Sequence, residues 1–312
     1  MTEMHINVRK IRNSSVPTWL GLVCGSWFGL AWGALISLPV GVGFGVAAGS
    51  ILGGFVAVPL WGTFWGLVGL GRQRHDALGQ LGIRLLPDDD EVTQRVHAMA
   101  GRLGLKARPW VGIMPYTNAY AIGSDPNNAL VVIGGPLLDT LSKAEIDAII
   151  GHELGHVANN DMRRMGLARS FQNALVWYLG FSNTLQRFGR WSLTWLSELY
   201  MLRLSRNREY WADAIGAALT SKEAMISALE RLHQMPDLSS FERQNARLMF
   251  RGRTSALLST HPTLEERRAA LQQETHLPRI PVTQASQPPA QATAKTLPKA
   301  EDIAYAKSKV RT

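Results

Sequence analysis

The first quarter of the chain is apolar, and its pattern predicts helices that cross a membrane. No charged residue occurs between residues 13 and 71. One helical span needs about 20 apolar residues, so this run is long enough for two spans. Pro39 and Gly41 mark a turn between them. The pattern therefore predicts a transmembrane hairpin at residues 16–71, with spans at about 17–38 and 42–70, after an N-terminal tail at residues 1–15.

Basic residues beside the apolar run predict its orientation. Arg9, Lys10 and Arg12 precede the first span, and Arg72 and Arg74 follow the second. Basic flanks remain in the cytoplasm, so both ends of the hairpin and the domain after it are expected there. A cleavable signal peptide in the first segment is the alternative. The run is too long for that reading, and a second apolar stretch follows it.

Glycines recur every four residues within both predicted spans. Small residues on one helix face let two backbones approach closely within lipid. We therefore expect the spans to pack on each other or on a second copy of the chain, as a homo-oligomer. The glycines concerned are Gly21, Gly25, Gly29 and Gly33 in the first span, and Gly45, Gly49, Gly53, Gly62 and Gly66 in the second.

The polar part of the chain predicts an α+β domain that is mainly helical and has a small β-sheet. The acidic residues 88–91 suit the positive N-terminus of a helix that ends near Leu103. Residues 108–114 and 129–133 are rich in β-forming side chains and predict short strands, with a third at 118–122 between them. These elements lie within a domain predicted to cover residues 72–276.

Two later regions are predicted from composition. Residues 169–204 contain short apolar runs broken by polar side chains, which predict an amphipathic helical pair that lies on the membrane or packs on the first hairpin. Two further spans are the alternative. Residues 277–312 are rich in Pro, Ala, Gln and Lys and lack the apolar content of a core, which predicts a disordered tail.

Charge and cysteine content narrow the class of protein. The 312 residues carry a formal net charge of +9. Nucleic acid is not expected as a partner, because no stacking platform or basic recognition motif accompanies this charge. Contact with the anionic headgroups of a lipid bilayer is the simpler interpretation. The single cysteine, Cys24, lies in the first span and can form no intramolecular disulfide.

His152, Glu153 and His156 form the motif with the clearest chemistry. Residues four apart lie on one face of a helix, so the two histidines can bind one metal ion from the same side. Glu153 is one step round the helix and can reach a water at that metal. A capping box at residues 142–145 and two asparagines at 159–160 predict where this helix starts and stops.

A catalytic zinc usually takes three protein ligands, so a third is expected elsewhere. The candidates downstream are Glu198, Glu209, His233 and His261, and Glu209 is favoured. Asp213 follows it by four residues on the same helix face, where a carboxylate can accept a hydrogen bond from the free ring N–H of a ligating histidine. The alternative is a solvated charge patch on a helix surface.

Together these residues resemble peptidase family M48, and the membrane-bound HtpX-like heat-shock proteases within it. The motifs that carry the resemblance are His152-Glu153-x-x-His156, Glu209-x-x-Ala212-Asp213, Asn118-Ala119-Tyr120-Ala121, Asn160-Asp161 and His261-Pro262 with Arg267. The resemblance implies a zincin-type metallopeptidase domain with one Zn²⁺ per chain. It also implies a bacterial inner-membrane protein that faces the cytoplasm and cleaves polypeptides in membrane-protein quality control.

The resulting hypothesis assigns a role to each residue. His152, His156 and Glu209 hold zinc, Asp213 orients a ligating histidine, and Glu153 moves the proton of the attacking water to the leaving amine. His261 is the candidate for stabilising the oxyanion, with Tyr210 or an arginine as alternatives.

By resemblance, residues 118–121 are a sheet edge that pairs with extended substrate; an interior strand is the alternative. Two other functions stay open. One is a zinc amide hydrolase that does not cleave peptides, and the other is a silent membrane scaffold with a structural zinc.

Overall fold

The computed structural model describes residues 4–6, 15–37, 44–176, 206–235, 262–280 and 282–284. The chain divides into two compact units. The sheet unit comprises residues 1–13, 73–162 and 205–312, and the apolar unit comprises residues 14–72 and 163–204.

A four-stranded mixed sheet organises the sheet unit. Its strands are β2 (Arg84–Leu85), β3 (Trp110–Met114), β4 (Ala119–Gly123) and β5 (Ala129–Gly134), in the order β2-β3-β5-β4. β3 runs parallel to β5, and β4 runs antiparallel to β5 with Ala121 opposite Val131. β4 is therefore an edge strand among the strands described. β2 was not predicted, because two residues carry no periodic signal.

Helices cover both the sheet and each other. The sheet unit contains α3 (Glu91–Arg102), α4 (Gly135–Thr140), α5 (Lys143–Ala158), α7 (residues 206–219), α8 (Lys222–Gln234) and α9 (Leu264–Gln272). α6 (Asp161–Val176) begins in the sheet unit and continues in the apolar unit. The predicted acidic start of α3 is confirmed, since Asp90 caps the helix by accepting a hydrogen bond from the Val92 N–H.

The strands bury both faces of the sheet. One face, with Ala119, Val131 and Ile133, packs in the same core as residues of α5 such as Ile149. The other face, with Tyr120, Leu130 and Val132, forms a second core with Ala77 and Leu81. Strands buried on both sides are rich in apolar residues without alternation, as the run 129–133 is.

The two ends of the described chain pair with one another, which corrects the predicted tails. β1 (Met4–Ile6) runs antiparallel to β6 (Val282–Gln284), with His5 opposite Thr283. Ile6 and Ile280 are buried in the main core. The assignment of residues 1–15 and 277–312 wholly to tails is therefore wrong at these residues. Local composition could not reveal a pairing between segments so far apart in sequence.

The apolar unit contains α1 (Val16–Ser37) and most of α2 (Phe44–Gln80). Residues 54–79 of α2 are long and apolar enough to cross a membrane, with a mean hydropathy of 1.4, while the apolar stretch Val16–Ala31 of α1 is shorter. The turn predicted at Pro39 and Gly41 lies outside the described residues. α2 extends ten residues beyond the predicted end of the second span.

Glycines of α2 contact two different helices within the apolar unit. A Cβ on Gly54 would lie 3.0 Å from the Leu30 side chain of α1. A Cβ on Gly62 would lie 2.6 Å from the Phe171 ring, and one on Gly69 would lie 2.5 Å from Ser170 Oγ. The contact between the two spans is thus made at Gly54, which is not in the predicted pattern, whereas Gly62 and Gly66 of that pattern contact α6.

The predicted helical pair at residues 169–204 is described only as far as Val176, where it is the end of α6. Residues 177–204 lie outside the described part of the chain, so both the pair and its spanning alternative stay predictions.

Candidate metal and active site

The helix α5 is defined at both ends by its own sequence. The predicted capping box is present: Ser142 Oγ accepts from the Glu145 N–H, and the Glu145 carboxylate accepts from the Ser142 N–H. Asn159 caps the C-terminus, and Asn160 adopts a left-handed conformation with φ 62°. Asparagine tolerates that conformation better than most residues, which lets the chain turn sharply after the helix.

α7 crosses α5 at a contact made by glycines. A Cβ on Gly155 would lie 3.1 Å from Ala212 Cα, and one on Gly151 would lie 3.0 Å from Gly216 Cα. A Cβ on Gly216 would lie 2.9 Å from the carbonyl oxygen of Ala148 and 3.2 Å from the backbone nitrogen of His152. Such close backbone approach brings the acidic side chains of α7 within reach of the two histidines.

Three donor groups converge where these helices cross. His152 Nε2 and His156 Nε2 are 3.1 Å apart. Each lies 3.6 Å from an oxygen of Glu209, His152 from Oε2 and His156 from Oε1. Ligands held at about 2.0–2.2 Å by one tetrahedral ion are about 3.3–3.6 Å apart. Both distances to Glu209 match this range, and the distance between the two histidine nitrogens is slightly shorter. Two imidazoles with one carboxylate are also a donor set typical of catalytic zinc.

The alternative of a solvated charge patch is excluded by burial. Glu209 is 0% exposed and Asp213 is 1% exposed. Carboxylates are almost never this deeply buried unless they are paired or bind a metal. The acidic face of α7 therefore belongs to the interior of the sheet unit.

His152 is oriented by a buried carboxylate and, behind it, by an arginine. Its Nδ1 lies 2.9 Å from Asp213 Oδ1. The guanidinium of Arg267 in α9 donates to both oxygens of Asp213, with Nε 2.7 Å from Oδ2. A carboxylate at Nδ1 fixes the ring so that Nε2 presents its lone pair to the shared donor position. Asp213 thus lies where the sequence predicts it, whereas Arg267 had no predicted role.

His156 has a second carboxylate partner, which was not identified from the sequence. Its Nδ1 lies 2.9 Å from Asp161 Oδ2. Asn159 Nδ2 donates to Asp161 Oδ1 at 3.0 Å, and Arg208 Nε lies 3.7 Å from Oδ2. Asn160 was the sequence signal for this contact. Its left-handed conformation directly after α5 turns the side chain of Asp161 back towards that helix.

Burial and neighbouring charges shift the pKa values of these groups. Burial lowers the pKa of His152 to about 4, which keeps its imidazole neutral as a metal ligand must be. Burial also opposes the charged form of His156, but the charge of Glu209 and the hydrogen bond with Asp161 raise its pKa overall. Burial raises the pKa of Glu153 to about 7.

Glu153 lies against the edge strand of the sheet. Glu153 is 2% exposed, and its carboxylate lies near the backbone of Ala121 in β4, which favours the charged form. The Gly134 N–H donates to the Asn118 carbonyl at 2.7 Å, which sets the alternation of the β4–β5 ladder. In antiparallel pairing, alternate residues bond to the neighbour, so the backbone groups of Ala119 and Ala121 point away from β5. The Ala119 N–H is already bonded, because it donates to Asn118 Oδ1 at 2.9 Å.

The other candidates from the sequence either lie away from the three donor groups or fall outside the described residues. His233 is exposed near the end of α8 and is not one of the three converging groups. The ring of Tyr210 stacks on His276, with centroids 5.6 Å apart. Glu198 and His261 lie outside the described residues, so the oxyanion role of His261 stays a prediction.

Comparison with known proteins agrees with this geometry. The profile of Peptidase family M48 matches residues 87–275, which include the metal-site helices α5 and α7 as well as α9. The chain belongs to peptidase family M48. It is accordingly a metallopeptidase, and the fold class expected from the sequence is confirmed.

Relatives of this M48 peptidase are similar over most of its polar region. The "Protease HtpX homolog" of Thiobacillus denitrificans is 37% identical over 210 residues, covering 57% of this chain and 69% of the relative. "Protease HtpX" of Acinetobacter baylyi is 36% identical over 212 residues, covering 58% and 70%. The crystal structure of S. mikatae Ste24p aligns with a TM-score of 0.45 at 20% identity, covering 72% of this chain and 62% of that one.

Proposed function

We propose that this chain is a membrane-anchored, zinc-dependent endopeptidase of the bacterial inner membrane. It holds one Zn²⁺ at His152, His156 and Glu209 and cleaves membrane or membrane-adjacent polypeptides at exposed segments on the cytoplasmic side. The role implied by its resemblance is quality control of membrane proteins.

The observation that carries the proposal is the convergence of three donor groups, with the carboxylate of Glu153 on the same helix as two of them. His152 and His156 reach the donor position from α5, and Glu209 reaches it from α7. Glu153 lies one residue from His152, on the helix that supplies two of the donors. The three described protein ligands leave a position for water and substrate, as catalytic zinc sites do.

The side chains divide the chemistry between them. A zinc ion at this site would polarise the scissile carbonyl and lower the pKa of a water molecule. Glu153 accepts the proton of the attacking water and delivers it to the leaving amine, so one carboxylate serves as base and then as acid. Asp213 and Asp161 hold the two imidazoles in the orientation that the donor position requires.

The edge strand β4 supports a polypeptide substrate rather than a small amide. Ala121 lies at the sheet edge near the carboxylate of Glu153, and its backbone groups point away from β5. An extended peptide that adds to this edge forms main-chain hydrogen bonds that require no particular side chain. Its peptide bonds would then run past the general base.

Exposed apolar side chains support the membrane anchor. Among the described residues, every exposed large hydrophobic side chain lies in α1 or α2. Leu60 is 64% exposed and Phe64 is 60% exposed. Soluble proteins rarely expose contiguous apolar surface of this kind, whereas a bilayer covers it. The basic residues that flank the two helices in sequence support a cytoplasmic position for both outer ends.

Glu153→Gln tests the chemistry directly. The purified full chain in detergent or lipid should degrade casein and contain one zinc per chain, whereas the variant should keep its zinc and lose proteolysis. Asp147→Asn is the matched control, because it makes the same chemical change on α5 where the carboxylate pairs with Arg95 instead. It should retain both zinc and activity.

The results also separate the other two functions. Activity that survives Glu153→Gln refutes the assigned base. Cleavage of small amides without cleavage of casein identifies an amide hydrolase. Wild-type protein that retains zinc but cleaves neither substrate is a scaffold, and the absence of zinc binding refutes the metal site itself.

A further inference from the structure

The helix α9 is held against α7 and α8 by charged and aromatic contacts. Arg206 of α7 donates to the Glu266 carboxylate at 2.8 and 3.0 Å. His276, just after α9, lies against the rings of Tyr210 and Trp211, with centroid distances of 5.6 and 5.3 Å. On the side of α8, Arg268 Nη1 lies 3.4 Å from Glu230 Oε1, and Glu274 Oε1 lies 3.0 Å from Lys222 Nζ. Residues 262–280 therefore lie along the helix that supplies Glu209.

The contact at the centre of this surface is buried and reaches the metal site. Arg267 is 6% exposed, and its guanidinium binds both oxygens of Asp213. The same guanidinium places an N–H nitrogen 3.5 Å from His152 Nδ1. Arg267, Asp213 and His152 thus form one connected chain of side chains that joins α9 to the donor position.

We infer that Arg267 is a positioning residue for the metal site: its two-point grip on Asp213 holds His152 in the ligating orientation, so α9 supplies part of the metal centre. This inference rests on the proposed zinc site. It makes zinc affinity and the docking of α9 depend on each other, because a coupling free energy between two events acts in both directions.

The guanidinium is suited to this role by its shape as well as its charge. Its planar fork binds two carboxylate oxygens at once and so fixes the rotation of Asp213. A lysine ammonium keeps the charge but acts as a single point, which leaves the carboxylate free to rotate. Residues that hold metal ligands in place typically change metal affinity by about 10–100-fold when they are altered.

A pair of conservative substitutions on consecutive residues tests the grip. In Arg267→Lys the buried charge stays and the two-point contact is lost, whereas Arg268→Lys changes an arginine whose side chain is 52% exposed. Zinc affinity, measured in the full chain by competition with a chromogenic chelator, should fall about tenfold in Arg267→Lys and stay unchanged in Arg268→Lys. In Co²⁺-substituted protein, the visible absorption bands should shift only for Arg267→Lys.

A measurement on the wild-type protein is independent of how the variants fold. Hydrogen exchange of the α9 amides should slow when zinc is added to zinc-free protein, although α9 contains none of the three donors. Exchange that slows in α5 and α7 but not in α9 overturns the inference, as does a folded Arg267→Lys with wild-type zinc affinity. Wild-type protein that binds no zinc overturns the proposed function instead, so the two failures are distinguishable.

Discussion

The contact between α5 and α7 predicts that one added methyl group will loosen the metal site. Gly216 is the position to change. An ideal Cβ there would lie 2.9 Å from the carbonyl oxygen of Ala148 and 3.2 Å from the backbone nitrogen of His152. Both are backbone atoms of α5 and cannot rotate away. Ordinary contacts of this kind begin at 3.4 Å, so the helices must separate by several tenths of an ångström.

The magnitude follows from two opposing effects. Alanine is favoured over glycine in a helix by about 1 kcal/mol, whereas an extra methyl group in a packed interior costs about 1–3 kcal/mol. Gly216→Ala should therefore lower the free energy of unfolding by about 0–2 kcal/mol. Zinc affinity should be more sensitive to this change than stability is. Distances between a metal and its ligands tolerate only about ±0.2 Å, and Glu209 moves with α7. We expect zinc affinity to fall by about tenfold.

Gly101→Ala is the control for helix propensity. Gly101 lies in α3, and nothing is within 4 Å of the Cβ it would gain. This variant should be more stable than wild type by about 0.5–1 kcal/mol and should bind zinc normally. Thermal unfolding of zinc-free protein and chelator competition measure the two quantities. If Gly216→Ala matches Gly101→Ala in both, the close helix contact does not hold the donors in place and the reasoning is wrong.

Two further predictions concern buried polar groups. The Tyr120 hydroxyl is buried and has no hydrogen-bond partner among the described residues, so Tyr120→Phe should leave the unfolding free energy unchanged or raise it by about 1 kcal/mol in thermal melts. Burial alone would raise the pKa of Glu145, but hydrogen bonds with Ser227 and Ser142 and the charge of Arg231 lower it below 4.5. Its stabilisation is present above about pH 4.5 and lost as the pH falls through the lowered pKa, so the stability deficit of Glu145→Gln should shrink below pH 4.5.

Local sequence signals predicted the helix that carries most of the chemistry. Ser142 and Glu145 start α5, Asn159 ends it, and the spacing of His152 and His156 places both rings on one face. Each of these signals acts within a few residues, which is the range over which a helix forms its own caps and faces. The same locality explains why the start of α3 could be predicted.

Site residues that meet only through the tertiary fold could be predicted only where a nearby residue with a matching role supported the prediction. Glu209 was favoured because Asp213 lies one turn later, and the structure brings both to the histidines. Asp161 and Arg267 were named only as parts of motifs that gave them no role, since the contact of one depends on the turn at Asn160 and that of the other on the docking of α9. The pairing of the chain termini was missed for the same reason.

Charge balance around the donor position gives an independent argument for a divalent cation. Four carboxylates and two guanidinium groups surround it, and a net charge of −2 remains when all of them are ionised: Glu153, Asp161, Glu209, Asp213, Arg208 and Arg267. Without an ion, protons on Glu153 and His156 reduce this charge, because the pKa values of both groups are raised, whereas one divalent ion cancels it with the carboxylates ionised. The two imidazole donors favour zinc or a similar transition metal over Mg²⁺ or Ca²⁺, which prefer oxygen. Removal of the ion should therefore lower the free energy of unfolding of the sheet unit as well as end catalysis, because an ion that binds only the folded site stabilises it.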